Sequence, residues 1–454
     1  MVLEAVVVLG VTAAALGAIY LFTGGTAASP WRAAGTQVQD ISNASGLQTE
    51  ATVAVDRSNP RTLLAASNDS ITPAIRVYVS ANGGATWKSQ PGPLLNRDTC
   101  AWGDPAVAIG PNGRQYVAYT EKSVCTAGPD LTPYLVVAAR AGSSAPWLLH
   151  RITRPAVKFG FDDKPAIAVA ATGRVYVAWS RLLGRAYQTT VLSWSDDGGS
   201  SWTRPLPVDR TLVQPQFVSL AAGPRDSLYI AGVDASHGVW VGRSTDRGRS
   251  FVVRQAAALP GNRAATCIVF GKFVLPQQAV RCLGPNPTVT TAKGRVYVVY
   301  GTQATNGTED VAAAVFDARL HPLGRAAVGL PEKKKADQFW PVSAVDSRTG
   351  QVWACYYDTT GDGARKGAWF TCTVSRDGLH WARPVRAGPA SASAEVLWAD
   401  AEIYGYGDSG GWGGYTGLAI GNGVAHPLWI DTRSLKANAE EVFAARLSVK
   451  AFQR

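Results

Sequence analysis

Acidic, basic and aromatic residues recur in this 454-residue chain at the borders of a repeated strand-like pattern, where they could hold or act on a polar ligand. Glu50, Asp104, Asp163 and Asp337 each stand at the head of an apolar run, and Asp69, Asp234, Asp358 and Asp431 each close the run that follows. Arg97, Asp98, Lys164, Arg181, Arg185, Arg365 and Arg433 fall between such runs, with Trp398, Tyr404, Tyr406 and Trp412 ahead of the last one. Carboxylates and guanidinium groups orient hydroxyls and charges, and aromatic rings cover sugar faces, so this set suits a sugar or another polar ligand. The plainer role for any one acid is a turn cap. Asp358-Thr-Thr-Gly-Asp362 adds clustered oxygens of the kind that suit calcium. The five His and six Cys show no H-x-H, H-E-x-x-H or C-x-x-C, which argues against a His/Cys metal site.

Strands are the elements that must position these groups. Fifteen Trp and abundant Val, Tyr, Thr and Gly favour strands over helices. Ser80-Ala-Asn82-Gly-Gly84-Ala-Thr-Trp87, Ser195-Asp-Asp197-Gly-Gly199-Ser-Ser-Trp202, Ser244-Thr-Asp246-Arg-Gly248-Arg-Ser-Phe251 and the shorter Ser375-Arg-Asp377-Gly378-Leu-His-Trp381 share one pattern. Each reads as a tight hairpin in which the acid or amide binds turn N–H groups, Gly supplies positive φ and the aromatic covers the next strand. A second repeat pairs an apolar strand with another across a short turn, as in Asp104–Ile109 with Arg114–Tyr119 and Asp163–Val169 with Arg174–Trp179. Further copies begin near Glu50, Gln214, Asn286, Asp337 and Tyr415. Seven units at spacings of roughly 50 to 75 residues predict an all-β fold, a β-propeller of four-stranded blades. Six blades is the alternative, because blades 2, 5 and 7 lack a good hairpin motif. The last unit shows three strands, so Thr36–Ile41 is expected to supply its fourth and close the ring.

Strand parity then selects a face. The first-to-second and third-to-fourth strand links are short, whereas Thr120–Asp130, Ala257–Pro285, Asp358–Lys366 and Pro389–Gly414 all belong to the other class. Long links in a compact fold carry function more often than structure. The ligand-binding set expected there comprises Arg97, Asp104, Asp163, Lys164, Asp337, Asp358, Arg365, Trp412, Asp431 and Arg433.

The four hairpins resemble the Asp-box, S-x-D-x-G-x-x-W, of sialidases and related BNR-repeat propellers. The stretches Gln48-Thr-Glu50-Ala-Thr-Val-Ala-Val, Asp163-Lys164-Pro165, Tyr415-Thr-Gly-Leu-Ala and Trp429-Ile-Asp431-Thr-Arg433 resemble exported bacterial seven-bladed members. The resemblance covers nearly the whole exported chain and is one of fold and repeat. It implies a Tyr nucleophile, which Tyr415-Thr-Gly-Leu418 would supply, an Asp acid/base, for which Asp98 beside Arg97 is placed, and arginines gripping a substrate carboxylate. A phenol near pKa ~10 needs a neighbouring base to attack at neutral pH, and Glu395 and Glu402 are the candidates for it. No Phe/Tyr-Arg-Ile-Pro stands near the first blade, so the first family Arg has no counterpart. The resemblance leaves two readings: a surface propeller recognising a glycan, an acidic envelope polymer or a protein partner, and a sialidase-type glycoside hydrolase acting on an acidic sugar.

Length, charge and cysteines bound the rest. Ala5–Phe22 is an uncharged apolar run, followed by the small residues Thr26-Ala27-Ala28, and reads as a signal peptide or membrane anchor. The expected organisation is 1–28 for that segment, 29–45 for a linker and closing strand, and 46–454 for the propeller. Export would leave the protein secreted or anchored on the outer side of the cytoplasmic membrane. Six cysteines fit that compartment and fall as the couples Cys100/Cys125, Cys267/Cys282 and Cys355/Cys372, expected as disulfides from proximity. Net charge is +11 with 44 Lys and Arg, yet no basic run exceeds Lys333-Lys-Lys335, so nucleic acid is not an expected partner. Asn43, Asn68 and Asn306 carry the N-x-Ser/Thr triplet for glycosylation.

Overall fold

The computed structural model describes residues 37–123, 125, 133–153, 160–183, 187–258, 284–304, 307–329, 336–365, 367–388, 414–431 and 440–452. Seven antiparallel sheets follow one another along the chain. Their first strands are Thr52–Val55, Cys100–Ile109, Phe161–Val169, Gln216–Ala222, Thr288–Ala292, Gln338–Val345 and Gly417–Gly421, heading blades 1 to 7. Each first strand lies against the first strand of the next blade, and the seventh returns to the first, so the seven line a common axis. Blade 7 is completed from the other end of the chain. Val38–Asp40 pairs antiparallel with Glu441–Ala445, with Val38 opposite Ala445, as the closing-strand expectation required. The fold is thus a seven-bladed β-propeller, and the six-bladed alternative is excluded.

Apolar faces account for the stacking of the sheets. A buried cluster joins every neighbouring pair of blades, for example Leu64, Ala66, Val107, Val117 and Tyr119 between blades 1 and 2, and Trp353, Phe370, Ile420, Trp429 and Phe443 between blades 6 and 7. Trp179, Trp240, Trp353 and Trp429, four of the fifteen tryptophans, are fully buried. Burial of each such side chain supplies about 2–3 kcal/mol before ordering costs.

The four recurrent turns lock the outer hairpins with one hydrogen-bond scheme. In blade 3 Ser195 Oγ donates to Asp197 Oδ1 at 2.8 Å and accepts the Gly199 N–H at 2.8 Å, while the Ser201 N–H donates to Asp197 Oδ1 at 2.8 Å. Blades 4 and 6 repeat it around Asp246 and Asp377, and blade 1 does so with Asn82. The turns also receive the preceding blade. Arg114 Nε donates to Gly198 O at 2.7 Å, Arg174 Nη1 to Arg247 O at 3.0 Å and Arg295 Nη1 to Asp377 O at 3.1 Å. Part of the arginine excess is therefore spent on joining blades, not on display to a partner.

Two of the three expected disulfides form, Cys100–Cys125 and Cys355–Cys372, the second between directly paired strands. Cys267 and Cys282 lie outside the described residues, as does Ala5–Phe22. No helix among the described residues is long and apolar enough to cross a membrane. The inter-blade arginines give a first test. Arg174 is buried, bonds Asp196 through two 2.6 Å contacts and reaches blade 4. Arg174→Ala should remove ~2 kcal/mol of stability, visible as a fall of about 2–4 °C in Tm by calorimetry, and Arg174→Lys should restore only part of it.

Candidate functional site

The first strand of each blade begins with a distortion that aims side chains at the axis. Two residues before the ladder settles into regular pairing, φ turns positive in blades 1 to 6: Glu50 at 60°, Asp104 at 57°, Lys164 at 45°, Phe217 at 52°, Asn286 at 39° and Trp340 at 49°; in blade 7 the positive φ falls one residue earlier, at Gly414 with 95°. The strand register shifts there in blades 2, 3, 4 and 6. In blades 1 and 5 backbone pairing resumes upstream of it, through Asn68 N to Thr49 O and Gly301 N to Pro285 O. Four of these residues precede a proline (Pro105, Pro165, Pro287, Pro341), which has no N–H to lose at a break in the ladder. These are bulges, and all lie on the face where chain links run from blade to blade.

Contacts between blades that are not neighbours must cross the axis, and they meet at this end. The Tyr415 hydroxyl, from blade 7, lies 3.4 Å from Asp104 Oδ1 of blade 2 and within hydrogen-bonding reach of Glu50 of blade 1. Lys164 Nζ, from blade 3, sits 3.3 Å above the centre of the Tyr415 ring and 5.3 Å from that of Phe217 in blade 4. Asn286 of blade 5 donates its Nδ2 to Gly414 O of blade 7 at 3.3 Å. Trp340 departs from this pattern: its side chain is buried between blades 6 and 7, against Phe339 and Tyr357.

Electrostatics at this mouth follow from crowding. Burial, then the charges of Glu50 and Asp163, push the Asp104 carboxyl well above the ordinary range, against a smaller opposing pull from Lys164. Asp163 is pushed up to about 6, by burial first and then by Glu50, with Asp104 and Lys164 opposing. Burial and the neighbouring acids also raise the Tyr415 phenol well above its usual value, so it is a neutral donor at physiological pH. Asn68 holds the acids in place. Its Nδ2 donates to Glu50 Oε2 at 3.0 Å and to Thr49 Oγ1 at 3.1 Å, and its Oδ1 accepts the Asp104 N–H at 3.0 Å. That amide is thus engaged within the site.

The structure brings together five residues singled out at the strand heads and in the Tyr stretch: Glu50, Asp104, Asp163, Lys164 and Tyr415. Others lie elsewhere. Asp98 and Arg97 are exposed on the segment leading into blade 2. Asp337 and Arg365 form a two-pronged pair at 2.5 Å, with the Glu309 N–H on Asp337 as well. Asp358 caps its own turn through the Thr360 N–H at 2.7 Å, and Asp362 accepts the Ala364 and Gly367 N–H groups. Asp431 accepts the Trp429 indole N–H at 2.9 Å, and Asp69 pairs with Arg76 at 2.6 Å. Arg181 is held by Asp162, which also takes the Trp179 indole N–H and the Thr153 hydroxyl. No group of three or more His, Cys, Asp or Glu among the described residues is arranged to hold a metal ion. Arg433, Trp412, Arg185, Glu395, Glu402, Trp398, Tyr404 and Tyr406 lie outside the described residues. Asn68, Phe217 and Asn286 were passed over as site residues. Counting the repeat would have found the last two, since both occupy the position of Asp104 and Lys164.

No protein-family model matches the chain, and no curated protein matches it. Solved structures do. A protein of unknown function from Dyadobacter fermentans aligns over 90% of this chain and 99% of its own, at 11% identity and a TM-score of 0.48. Trypanosoma rangeli sialidase in complex with the inhibitor DANA aligns over 73% of this chain and 58% of its own, at 14% identity and a TM-score of 0.45. A polysaccharide lyase of family PL25, an ulvan lyase bound to -[GlcA(1-4)Rha3S]-, aligns over 91% and 98%, at 10% identity and a TM-score of 0.48. At these identities the likeness concerns the fold alone.

The raised carboxyl at Asp163 has a signed consequence. Its folded pKa of about 6 exceeds the unfolded value of about 3.9, so the folded state holds the proton more tightly. Stability from this group is present at about pH 4 and is lost as pH rises through 6. Asp163→Asn should therefore raise Tm at about pH 8 and leave it unchanged near pH 4, in a calorimetric pH series.

Proposed function

We propose that this protein is an exported propeller that recognises a glycan at the mouth of its central channel. One observation carries the reading. Side chains from five of the seven blades converge there as a phenol, an ammonium, three carboxylates and the Phe217 ring, across a channel narrow enough for Tyr415 to reach blades 2 and 3. Dense donors and acceptors beside an aromatic face match the hydroxyl-rich and apolar faces of a sugar. The two disulfides support a location outside the cytoplasm.

A second reading is glycoside hydrolysis, favoured by the Tyr415 hydroxyl standing beside both Glu50 and Asp104. Here Glu50 would take the phenol proton as the oxygen attacks the anomeric carbon. Asp104, whose raised pKa favours the protonated form, would give its proton to the departing oxygen. Asp98, exposed and apart, is a poorer acid for that step. The phenol's raised pKa makes it a weak nucleophile unless proton transfer accompanies attack, which is why recognition stands first.

Purified protein tested on a glycan panel by saturation-transfer NMR, and on fluorogenic glycosides for turnover, separates the readings. Recognition predicts binding by the wild type, weakened about tenfold in Tyr415→Phe, with no turnover. Hydrolysis predicts turnover that falls at least ~10³-fold in Tyr415→Phe while binding persists. Absence of binding to every glycan tested would refute both.

A further inference from the structure

We infer that the channel mouth selects a sugar carrying a free amine over one carrying a carboxylate. The inference rests on the glycan reading and narrows it to a substrate class. Around Tyr415 three carboxyl groups, those of Glu50, Asp104 and Asp163, stand against one ammonium, that of Lys164; the crowding favours a proton on Asp104, and the remaining two carboxylates still outnumber the ammonium. Like charges so placed repel one another at short range in a site partly withdrawn from water, and a cation brought among them relieves the repulsion. A sugar carboxylate would add to it.

A second observation is independent of the acids. Asn286 is 8% exposed and spends its amide N–H on Gly414 O across the channel, yet its Oδ1 is buried with no hydrogen-bond partner among the described residues. A buried acceptor left unpaired is costly until a donor arrives. An ammonium brings three donors and no acceptor, so it answers both the excess of carboxylates and this vacant amide oxygen.

Two of the arginines expected to grip an acidic sugar are committed elsewhere on this face. Arg181 is bound by Asp162 at 2.8 Å and Arg365 by Asp337 at 2.5 Å, the two acids being 2% and 0% exposed. Among the described residues, no guanidinium joins the Tyr415 cluster. Lys164, the cation that does, lies over the Tyr415 ring and already offsets the acids beside it.

The test compares three oligosaccharides by isothermal titration calorimetry at neutral pH: a glucosamine tetramer, its N-acetylated counterpart and sialyllactose. The wild type should bind the amine form at least about tenfold more tightly than the acetylated one, with the margin shrinking at high salt, and should bind sialyllactose most weakly. Asp163→Asn, whose amide keeps the shape and whose fold is checked by its Tm, should cut the amine preference to within about threefold. Equal binding of amine and acetylated forms, or tighter binding of sialyllactose, overturns the amine selectivity while leaving glycan recognition standing. No binding of any of the three, extended to the wider panel above, overturns the glycan reading itself. The wild-type comparison stands even if the variant does not fold.

Discussion

Six non-glycine residues held at positive φ, one at the head of each of the first six blades, are the constraint on which the rest of the molecule turns. Each costs of order 1–2 kcal/mol relative to ordinary backbone, and such strain persists only where its surroundings over-determine it. Here they do. The inter-blade clusters fix the strands on either side, and the regular ladder resumes beyond each bulge. What the strain achieves is aim. A flat strand would send these side chains alternately along the sheet faces, whereas the bulge turns Glu50, Asp104, Lys164 and Phe217 toward a shared axis.

Convergence has an electrostatic cost as well as a geometric one. Burial, and then the charge of Glu50 beside them, raises the carboxyl pKa of Asp104 and Asp163, so the folded state works against its own charge at neutral pH. The elements opposing that cost are few and specific. Lys164 supplies a nearby positive charge, and the Asn68 amide fixes one acid by its side chain and another by its backbone. A stable core with an unfavourable polar centre is what a binding site requires, because the ligand then supplies what the fold lacks.

The propeller was largely legible in the chain, for a physical reason. Blades repeat because each sheet buries both faces against neighbours, and that demand imprints one pattern of strands and turns many times over. The Ser195/Asp197 type of turn was readable because its hydrogen bonds need those residue types at those spacings. The site was less so. Asp163 and Asp162 are adjacent and chemically alike, yet one faces the channel and its neighbour serves Trp179 and Arg181. Only the register at the bulge distinguishes them. Glu50, from the opposite end of the chain, stands beside Tyr415 because ring closure brings blade 7 against blade 1, a proximity that no sequence spacing announces. Arginine content suggested a grip on anions, and much of it proved to be structural, as Arg114, Arg174 and Arg295 show.

Ring closure itself rests on very little chain. Val38–Asp40 meets its partner strand over three residue pairs, extended by the exchange of Ile41 and Ser42 with Val442. That short ladder acts as a clasp on an otherwise continuous hoop. The free energy needed to spring the clasp is a local quantity, much smaller than that of melting seven sheets, while the apolar cluster of Val53, Leu63, Ala419, Leu428 and Val442 holds blades 1 and 7 together beside it. Tension applied along the chain ahead of Val38 would therefore be borne first by three backbone pairs, and the outer strand of blade 7 would peel away before the ring itself parted.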